Sequence, residues 1–262
     1  MLVLARVVVG GAIALDRKYI ERVKLSKRID SDSYLLDLPV VQTLIKTKEL
    51  VFSSDVTFFI GENGTGKSTL LEAIAVAYGF NAEGGTKNFS FSTNATHSEL
   101  YAYLTLSRSQ YAKDGFFLRA ESFYNVATNI DEMDSQSSFG TGLINSYGGK
   151  SLHKQSHGES FLALVQNRFG GNGLYILDEP EAALSPLRLL TLIAEINTLV
   201  KNNSQFIIAT HSPILMAYPN AQIYQINDLG IEPVSYKETE HYQLTKQFLD
   251  NPEQMLKYLL EE

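Results

Sequence analysis

The chain has 262 residues, 44% of them hydrophobic and 19% charged, which is an ordinary globular composition with enough apolar material for a core. Its 22 basic and 29 acidic residues give a formal charge of -7, which excludes a generally basic nucleic-acid coat but leaves room for a local basic patch. The absence of cysteine excludes a disulfide framework, zinc ribbons and thiol catalysis, and it fits a reducing, cytoplasmic location.

The first residues of the chain faintly resemble a secretory signal. Arg6 interrupts the apolar run, however, and no small-residue cleavage site follows it cleanly. We therefore expect a short extension or a buried edge strand at residues 1–18. No apolar run reaches the roughly 18 residues that a membrane-spanning helix needs, so we also expect no intrinsic membrane insertion.

Strand-like and helix-like segments alternate along the chain, which is the pattern of an α/β fold. Short apolar runs predict strands at residues 56–60, 115–121, 174–177 and 205–209. Helical spacing of apolar residues predicts helices at residues 68–78, 161–168 and 186–200.

The remaining segments indicate how the chain is organised. Residues 81–97 and 131–151 are rich in small polar residues and glycine, which predicts loops. Neither loop is long enough to divide the chain, so we expect a single domain over residues 1–262 with an inserted helical lobe at about 125–158. Residues 243–260 are amphipathic, with acidic as well as basic polar residues. We expect their apolar side to pack against the body rather than on a membrane.

Residues 61–68, GENGTGKS, match the phosphate-binding pattern G-x-x-x-x-G-K-[ST] between a predicted strand and a predicted helix. Glycines allow successive backbone N–H groups to turn inward around a phosphate, and the helix that follows directs its positive end at the same anion. Lys67 is expected beside the β- and γ-phosphates, and the Ser68 hydroxyl on Mg²⁺. The predicted nucleotide-binding residues of this segment are Gly61, Glu62, Asn63, Gly64, Thr65, Gly66, Lys67, Ser68 and Thr69.

A second motif lies where the apolar run 174–177 ends in Asp178 and Glu179. Asp178 is suited to the Mg²⁺ shell, and Glu179 can polarise an attacking water near the γ-phosphate. Two solvated acids at a strand end are the alternative interpretation. The phosphate-binding pattern in the same chain favours the catalytic one.

These motifs, in this order, resemble those of ABC-type ATPases, the class that includes transporter motor subunits and the SMC and RecF-like chromosome-maintenance ATPases. The sequence SHGE at 156–159 resembles the signature loop, PEAALSP at 180–186 resembles the D-loop, and His211 matches the switch histidine. Longer stretches, among them DEPEAALSP and ATHSPILMAYPNA, are similar to small stand-alone bacterial ATPases labelled AAA-family or ABC-type. The resemblance implies an α/β P-loop NTPase fold of ABC-ATPase type: a mostly parallel core sheet with flanking helices, an N-terminal antiparallel β portion and a small inserted helical lobe.

The resemblance also implies cofactors, an assembly and residue roles. ATP and Mg²⁺ are the implied cofactors, and the implied assembly is an ATP-dependent homodimer in which the signature loop of one protomer contacts the nucleotide of the other. The implied catalytic residues are Glu179, His211 and Lys67. The implied signature-loop contacts are Ser156, Gly158 and Glu159, and the implied metal ligands are Ser68, Asp178 and Glu121.

Three positions depart from the ABC-type pattern. His157 replaces the first glycine of the signature loop, and Ser185 replaces the usual aspartate of the D-loop. Glu121 stands where the family normally places a glutamine at a strand end. A glutamate there could orient Mg²⁺ or water, and an ion-paired surface residue is the alternative. For the nearby Arg119, an internal ion pair is favoured over a phosphate contact.

The sequence therefore predicts ATP binding and hydrolysis by a soluble, dimeric switch that acts on an unknown protein or nucleic-acid client. One alternative is the motor subunit of a membrane transporter, and another is a DNA-associated maintenance or defence ATPase. A scaffold that binds nucleotide without hydrolysing it ranks last, because no residue of the catalytic set is missing.

Overall fold

The computed structural model describes residues 18–86, 98–121, 123–136, 153 and 156–260. The extension or edge strand expected at residues 1–18 lies outside this part of the chain apart from Lys18, and so does the predicted loop beyond residue 86. The expected helical lobe is described through one helix and its C-terminal end.

The described segments form an α/β architecture. The strands, in chain order, are β1 (Arg22–Leu25), β2 (Glu49–Val51), β3 (Val56–Gly61), β4 (Leu104–Ser107), β5 (Asp114–Arg119), β6 (Gly173–Asp178), β7 (Gln205–Ala209), β8 (Gln222–Asn227) and β9 (Gly230–Pro233). The α-helices are α1 (Pro39–Thr47), α2 (Lys67–Tyr78), α3 (Phe123–Gln136), α4 (His157–Arg168), α5 (Pro186–Lys201), α6 (Pro213–Met216), α7 (Glu240–Asp250) and α8 (Pro252–Leu260).

The strands are arranged in two sheets. The larger one has the order β5-β6-β7-β3-β8-β9, and every neighbouring pair in it is parallel except β8 and β9. The smaller sheet is antiparallel, in the order β2-β1-β4. The predicted fold, a mostly parallel core sheet with an antiparallel N-terminal portion and flanking helices, is confirmed.

The central strands are apolar because both faces of the large sheet are covered. Every residue of β3, β6 and β7 is buried, as expected for parallel strands between helical layers. On one face, Phe161 of α4 and Leu192 of α5 join the same apolar cluster as Phe58. On the other face, Leu70 of α2 and Val23 of the small sheet belong to a second cluster.

The topology also fixes where chemistry can occur. The carboxyl ends of β5, β6, β7 and β3 lie at one edge of the sheet because these strands are parallel. The segments that follow these strands therefore converge there, which is where ligands bind in open α/β sheets.

Some element boundaries differ from the sequence-based expectation. Helix α2 begins at Lys67, one residue early, and β5 ends at Arg119, so that Glu121 lies beyond the strand. Helix α3 continues to Gln136, into the stretch from residue 131 that was predicted to be a loop.

The expectation that residues 243–260 pack their apolar side on the body is wrong. Asn251 and Pro252 divide this stretch into α7 and α8, because proline lacks an N–H and disfavours helical geometry in the residue before it. Neither helix contains a buried residue. Leu244, Leu249 and Leu259 are 54%, 71% and 70% exposed.

Candidate nucleotide-binding and catalytic site

The phosphate-binding loop between β3 and α2 has a backbone that requires glycine. Gly61, Gly64 and Gly66 have φ angles of 143°, 84° and 94°, which side-chain-bearing residues rarely adopt. A Cβ atom on Gly61 would lie 2.2 Å from the carbonyl oxygen of Ile226 in β8, and one on Gly66 would lie 2.8 Å from Val40. The glycine spacing in the sequence thus reflects both the turn and its close packing.

Lys67 places a buried positive charge at the centre of this loop. Its side chain folds back, and its ammonium donates to the carbonyl oxygens of Gly61 and Glu62 at 2.8 Å each. Burial lowers the pKa of Lys67, and the carboxylates of Glu179 and Asp178 oppose that shift. The loop therefore combines a cation, a helix N-terminus and exposed backbone, a combination suited to binding phosphate groups.

Ser68 and Asp178 are brought together from α2 and β6. The Ser68 hydroxyl donates to Oδ1 of Asp178 at 3.0 Å. Burial raises the pKa of Asp178 to about 6, against the opposing positive charge of Arg119. A hydroxyl and a carboxylate beside a phosphate-binding loop are the hard oxygen donors that Mg²⁺ prefers, so the donor set fits the expected metal.

Arg119 links the end of β5 to this pair. Its Nη1 donates to Glu72 at 2.6 Å, and its Nε lies 3.5 Å from Oδ2 of Asp178. Its Nη2 lies 3.6 Å from Glu121, whose side chain is 86% exposed. The geometry thus places Arg119 in an internal ion-pair network, and it places Glu121 at the outer end of that network.

Glu179 follows Asp178 in a left-handed backbone conformation, with φ 51° and ψ 52°. This conformation costs a residue other than glycine about 1 kcal/mol or more. The N–H of Glu179 donates to the carbonyl oxygen of Ala209 at 3.0 Å, which anchors the strained residue to β7. Its carboxylate lies 3.5 Å from Nε2 of His211 and is 36% exposed, so it is accessible to a water or a ligand.

Glu181 and Thr210 fix the loop that carries His211. The Thr210 hydroxyl donates to Oε2 of Glu181 at 2.8 Å, and the backbone N–H of His211 donates to Oε1. Burial raises the pKa of the Glu181 carboxyl. The sequence reasoning missed Glu181, although it stands in the segment that resembles the D-loop.

A second histidine approaches His211 from the C-terminal part of the chain. Nδ1 of His211 lies 3.1 Å from Nε2 of His241, the second residue of α7. Sequence reasoning assigned no role to His241, because 29 residues separate the two positions and no motif joins them.

The signature-like loop forms the start of α4. Ser156 caps the helix, and its N–H and hydroxyl both donate to Oε2 of Glu159, at 3.1 and 2.7 Å. Arg188 of α5 contacts Ser156 and Glu159, each at 3.2 Å. A Cβ atom on Gly158 would lie 2.9 Å from the carbonyl oxygen of Ala183. Within one chain, these contacts join the loop to the D-loop-like segment and to α5.

Two of the residues that depart from the ABC-type pattern, His157 and Ser185, are exposed at this surface. His157 is the first residue of α4, and Ser185 directly precedes α5. A cavity of about 430 Å³ is lined by His157 together with the carboxylates of Glu121, Asp178 and Glu179. Its lining residues are Ser68, Ala120, Glu121, His157, Asp178, Glu179, Ala182 and Ala183.

The structure therefore brings Lys67, Ser68, Asp178, Glu179 and His211 to one edge of the sheet. Thr69 lies in the first turn of α2, in the same segment. Ser156, Gly158 and Glu159 lie at the start of α4, where their described hydrogen bonds are to each other, to α4 and to α5 rather than to the phosphate-binding loop. In the described part of the chain, no helix is both long enough and apolar enough to cross a membrane.

Two family models match the chain. Residues 42–150 match the model described as "AAA domain", and residues 160–217 match the model described as "AAA domain, putative AbiEii toxin, Type IV TA system". The matched regions contain the phosphate-binding loop in one case and the acidic strand end with His211 in the other.

Among curated proteins, the chain is 29% identical over 98 residues to the Structural maintenance of chromosomes protein 6 of Takifugu rubripes. This match includes 37% of the chain but 9% of the length of that relative.

Among solved structures, the chain is similar to an ATP-binding cassette of an ABC transporter, with a TM-score of 0.50 and 15% identity. The alignment includes 92% of this chain and 99% of that one. The SMC head domain from Thermotoga maritima aligns with a TM-score of 0.41 and 16% identity, over 83% of this chain and 100% of that one.

The comparisons confirm the resemblance to ABC-type and AAA ATPases that are related to the SMC proteins. The alignment with the ATP-binding cassette shows the fold. The two family models support a nucleotide-binding ATPase.

Proposed function

We propose that the chain binds ATP with Mg²⁺ at the carboxyl edge of its large sheet and hydrolyses it there. The observation that carries this proposal is the convergence of a buried lysine, a serine–aspartate pair, a strained glutamate and a histidine on one phosphate-binding loop. Each supplies a different part of phosphoryl transfer to water.

Binding of ATP would begin with a rearrangement of Lys67. Its ammonium exchanges the carbonyl oxygens of Gly61 and Glu62 for the β- and γ-phosphate oxygens, which are stronger acceptors because they are charged. The N-terminus of α2 is directed at the same phosphates.

Ser68 and Asp178 would hold Mg²⁺, with Glu121 at the outer edge of the site. When bound, Mg²⁺ neutralises charge that develops on the phosphate oxygens. Its binding needs Asp178 as a carboxylate, and the positive charge of Arg119 at 3.5 Å favours that form.

Glu179 would orient and polarise the attacking water, because its carboxylate is accessible and lies close enough to Lys67 to act on the charge of that lysine. His211 would donate a hydrogen bond from Nε2 to the γ-phosphate. The 3.5 Å between this nitrogen and Oε1 of Glu179 leaves both groups close enough to share one phosphate and one water.

A homodimer would complete the site. The edge that carries Glu179 is open, and Ser156 is exposed at the start of α4, where the helix directs its positive end outward. In a head-to-tail pair, this loop reaches the γ-phosphate held by the partner, and Ser156 exchanges its bonds with Glu159 and Arg188 for bonds to phosphate. Hydrolysis then removes the anchor, and the pair separates as a switch.

A DNA-associated role is the second candidate for the biological function. The partial match to a Structural maintenance of chromosomes protein favours it over a transporter motor. Turnover of ATP with and without duplex DNA separates a nucleic-acid client from a protein client.

Steady-state ATP turnover tests the proposed function. We expect phosphate release that depends on Mg²⁺ and is abolished by EDTA. We also expect the rate per protein molecule to rise with protein concentration, because active sites form when two copies meet. Turnover that is unchanged by EDTA contradicts the metal site, and a rate per molecule that is independent of concentration across the monomeric range contradicts the composite site.

A further inference from the structure

His241 is held at the candidate site by the start of α7. Thr239 caps this helix and is fully buried; its hydroxyl donates to the carbonyl oxygen of Tyr236 at 2.8 Å and accepts from the N–H of Tyr242 at 3.2 Å. This anchor fixes the first turn of α7, which carries His241. The rings of His241 and His211 are 5.3 Å apart between centroids, with facing nitrogens at 3.1 Å.

A hydrogen bond between two imidazole nitrogens requires one donor and one acceptor. The protonation of the other nitrogen of His211, Nε2, determines which of the two rings is the donor. Its Nε2 is buried, has no hydrogen-bond partner among the described residues, and faces Oε1 of Glu179 at 3.5 Å. An unprotonated Nε2 would be repelled by the negatively charged carboxylate of Glu179, whereas a protonated Nε2 would be attracted to it. The proton of neutral His211 therefore belongs on Nε2, and Nδ1 is left as the acceptor.

We propose that His241 is a positioning residue for ATP hydrolysis: it donates from Nε2 to Nδ1 of His211 and holds His211 in the Nε2-protonated tautomer. This inference rests on the proposed function, in which the Nε2–H group of His211 donates a hydrogen bond to the γ-phosphate. Fixing the tautomer through the second ring nitrogen is a general way to orient a functional histidine. Here the C-terminal helix α7 supplies that second contact.

The charges around the two rings support a neutral pair. Burial lowers the pKa of both histidines, and the positive charge of Lys67 lowers them further. Glu179 opposes the shift at His211, and Glu240 opposes it at His241. Both directions favour the uncharged form of the rings, in which each ring carries one proton.

Nitrogen NMR of the nucleotide-free protein labelled with ¹⁵N-histidine tests the tautomer without any use of ATP. We expect His211 to show a protonated Nε2 and an unprotonated, hydrogen-bonded Nδ1 in the wild type. His241→Gln keeps an amide donor near the Nε2 position and should retain this pattern. His241→Leu removes the donor and should give a mixture of His211 tautomers.

ATP turnover then tests the consequence of the tautomer. We expect His241→Leu to lower kcat by about tenfold with little change in KM, the size of effect that loss of one buried hydrogen bond produces. His241→Gln should recover most of that loss. Gln247→Leu, an exposed change about 1.7 turns further along α7, is the matched control and should leave kcat unchanged.

Three results would overturn the inference. The first is a protonated Nδ1 on His211 in the wild type, which needs no variant to fold. The second is an identical His211 tautomer in the wild type and in His241→Leu. The third is an equal loss of kcat in the Gln and Leu variants. If the wild type shows the expected tautomer and no ATP turnover, the contact stands and the proposed function fails.

Discussion

Glu179→Gln is expected to lower kcat for ATP hydrolysis by about 10²–10⁴-fold and to leave ATP binding intact. The glutamine has the same shape and can keep the backbone bond from residue 179 to Ala209. It lacks the negative charge that polarises the attacking water. Because hydrolysis is the step that releases the partner in the proposed switch, ATP should hold this variant as a dimer.

Mass measured by light scattering checks this outcome with ATP, with ADP and without nucleotide. We expect a dimer with ATP and a monomer in the other two conditions. Adding Ser156→Arg to the same variant is the control, because it places a bulky cation where the signature-like loop would meet the partner's nucleotide. A monomeric mass of Glu179→Gln in all three conditions would refute the proposed ATP-dependent homodimer.

Lys67→Ala is expected to weaken ATP binding by about 100-fold or more, since hydrogen bonds to charged groups contribute about 1.5–3 kcal/mol each. The lysine is 4% exposed and supplies the positive charge that lies over the loop. Its loss also removes one of the cations that balance the Asp178 and Glu179 carboxylates and leaves Arg119 beside Asp178. Calorimetric titration of ATP with Mg²⁺ measures the effect.

Lys18→Ala is the matched control for that titration. Lys18 is also buried, at 5% exposed, and its ammonium pairs with Asp55 outside the phosphate-binding loop. We expect it to bind ATP as the wild type does. Lys67→Met, which keeps the volume of the side chain without its charge, should be as defective as Lys67→Ala. Wild-type affinity in either Lys67 variant would mean that the loop does not bind the phosphates.

The parts of the site that follow directly on a strand could be predicted from the sequence. Glycine spacing defines the loop after β3, and an apolar run that ends in two acids defines the end of β6, because local backbone and burial requirements determine both. The same reasoning located β7, and the family resemblance added His211 after it. These predictions needed no knowledge of distant contacts.

The contacts that support these residues could not be predicted in this way. Glu181 reaches Thr210, Arg119 reaches Glu72, and His241 reaches His211 across the fold. Such pairs are set by the order of strands in the sheet and by where α7 is anchored, and neither leaves a periodic signal in the sequence. For the same reason, the amphipathic spacing over residues 243–260 did not indicate what the apolar side of this stretch contacts.

The composite site is tested most directly by mixing two inactive variants. Lys67→Ala retains the signature-like loop and loses its nucleotide, whereas Ser156→Arg retains the phosphate-binding loop and loses its contact with the partner. A mixed dimer of the two contains one complete site, so ATP turnover of the mixture should exceed the sum of the separate variants. Lys67→Ala mixed with Glu179→Gln forms no complete site and should stay inactive. Turnover of the first mixture equal to the sum of its parts would contradict a site shared between two copies.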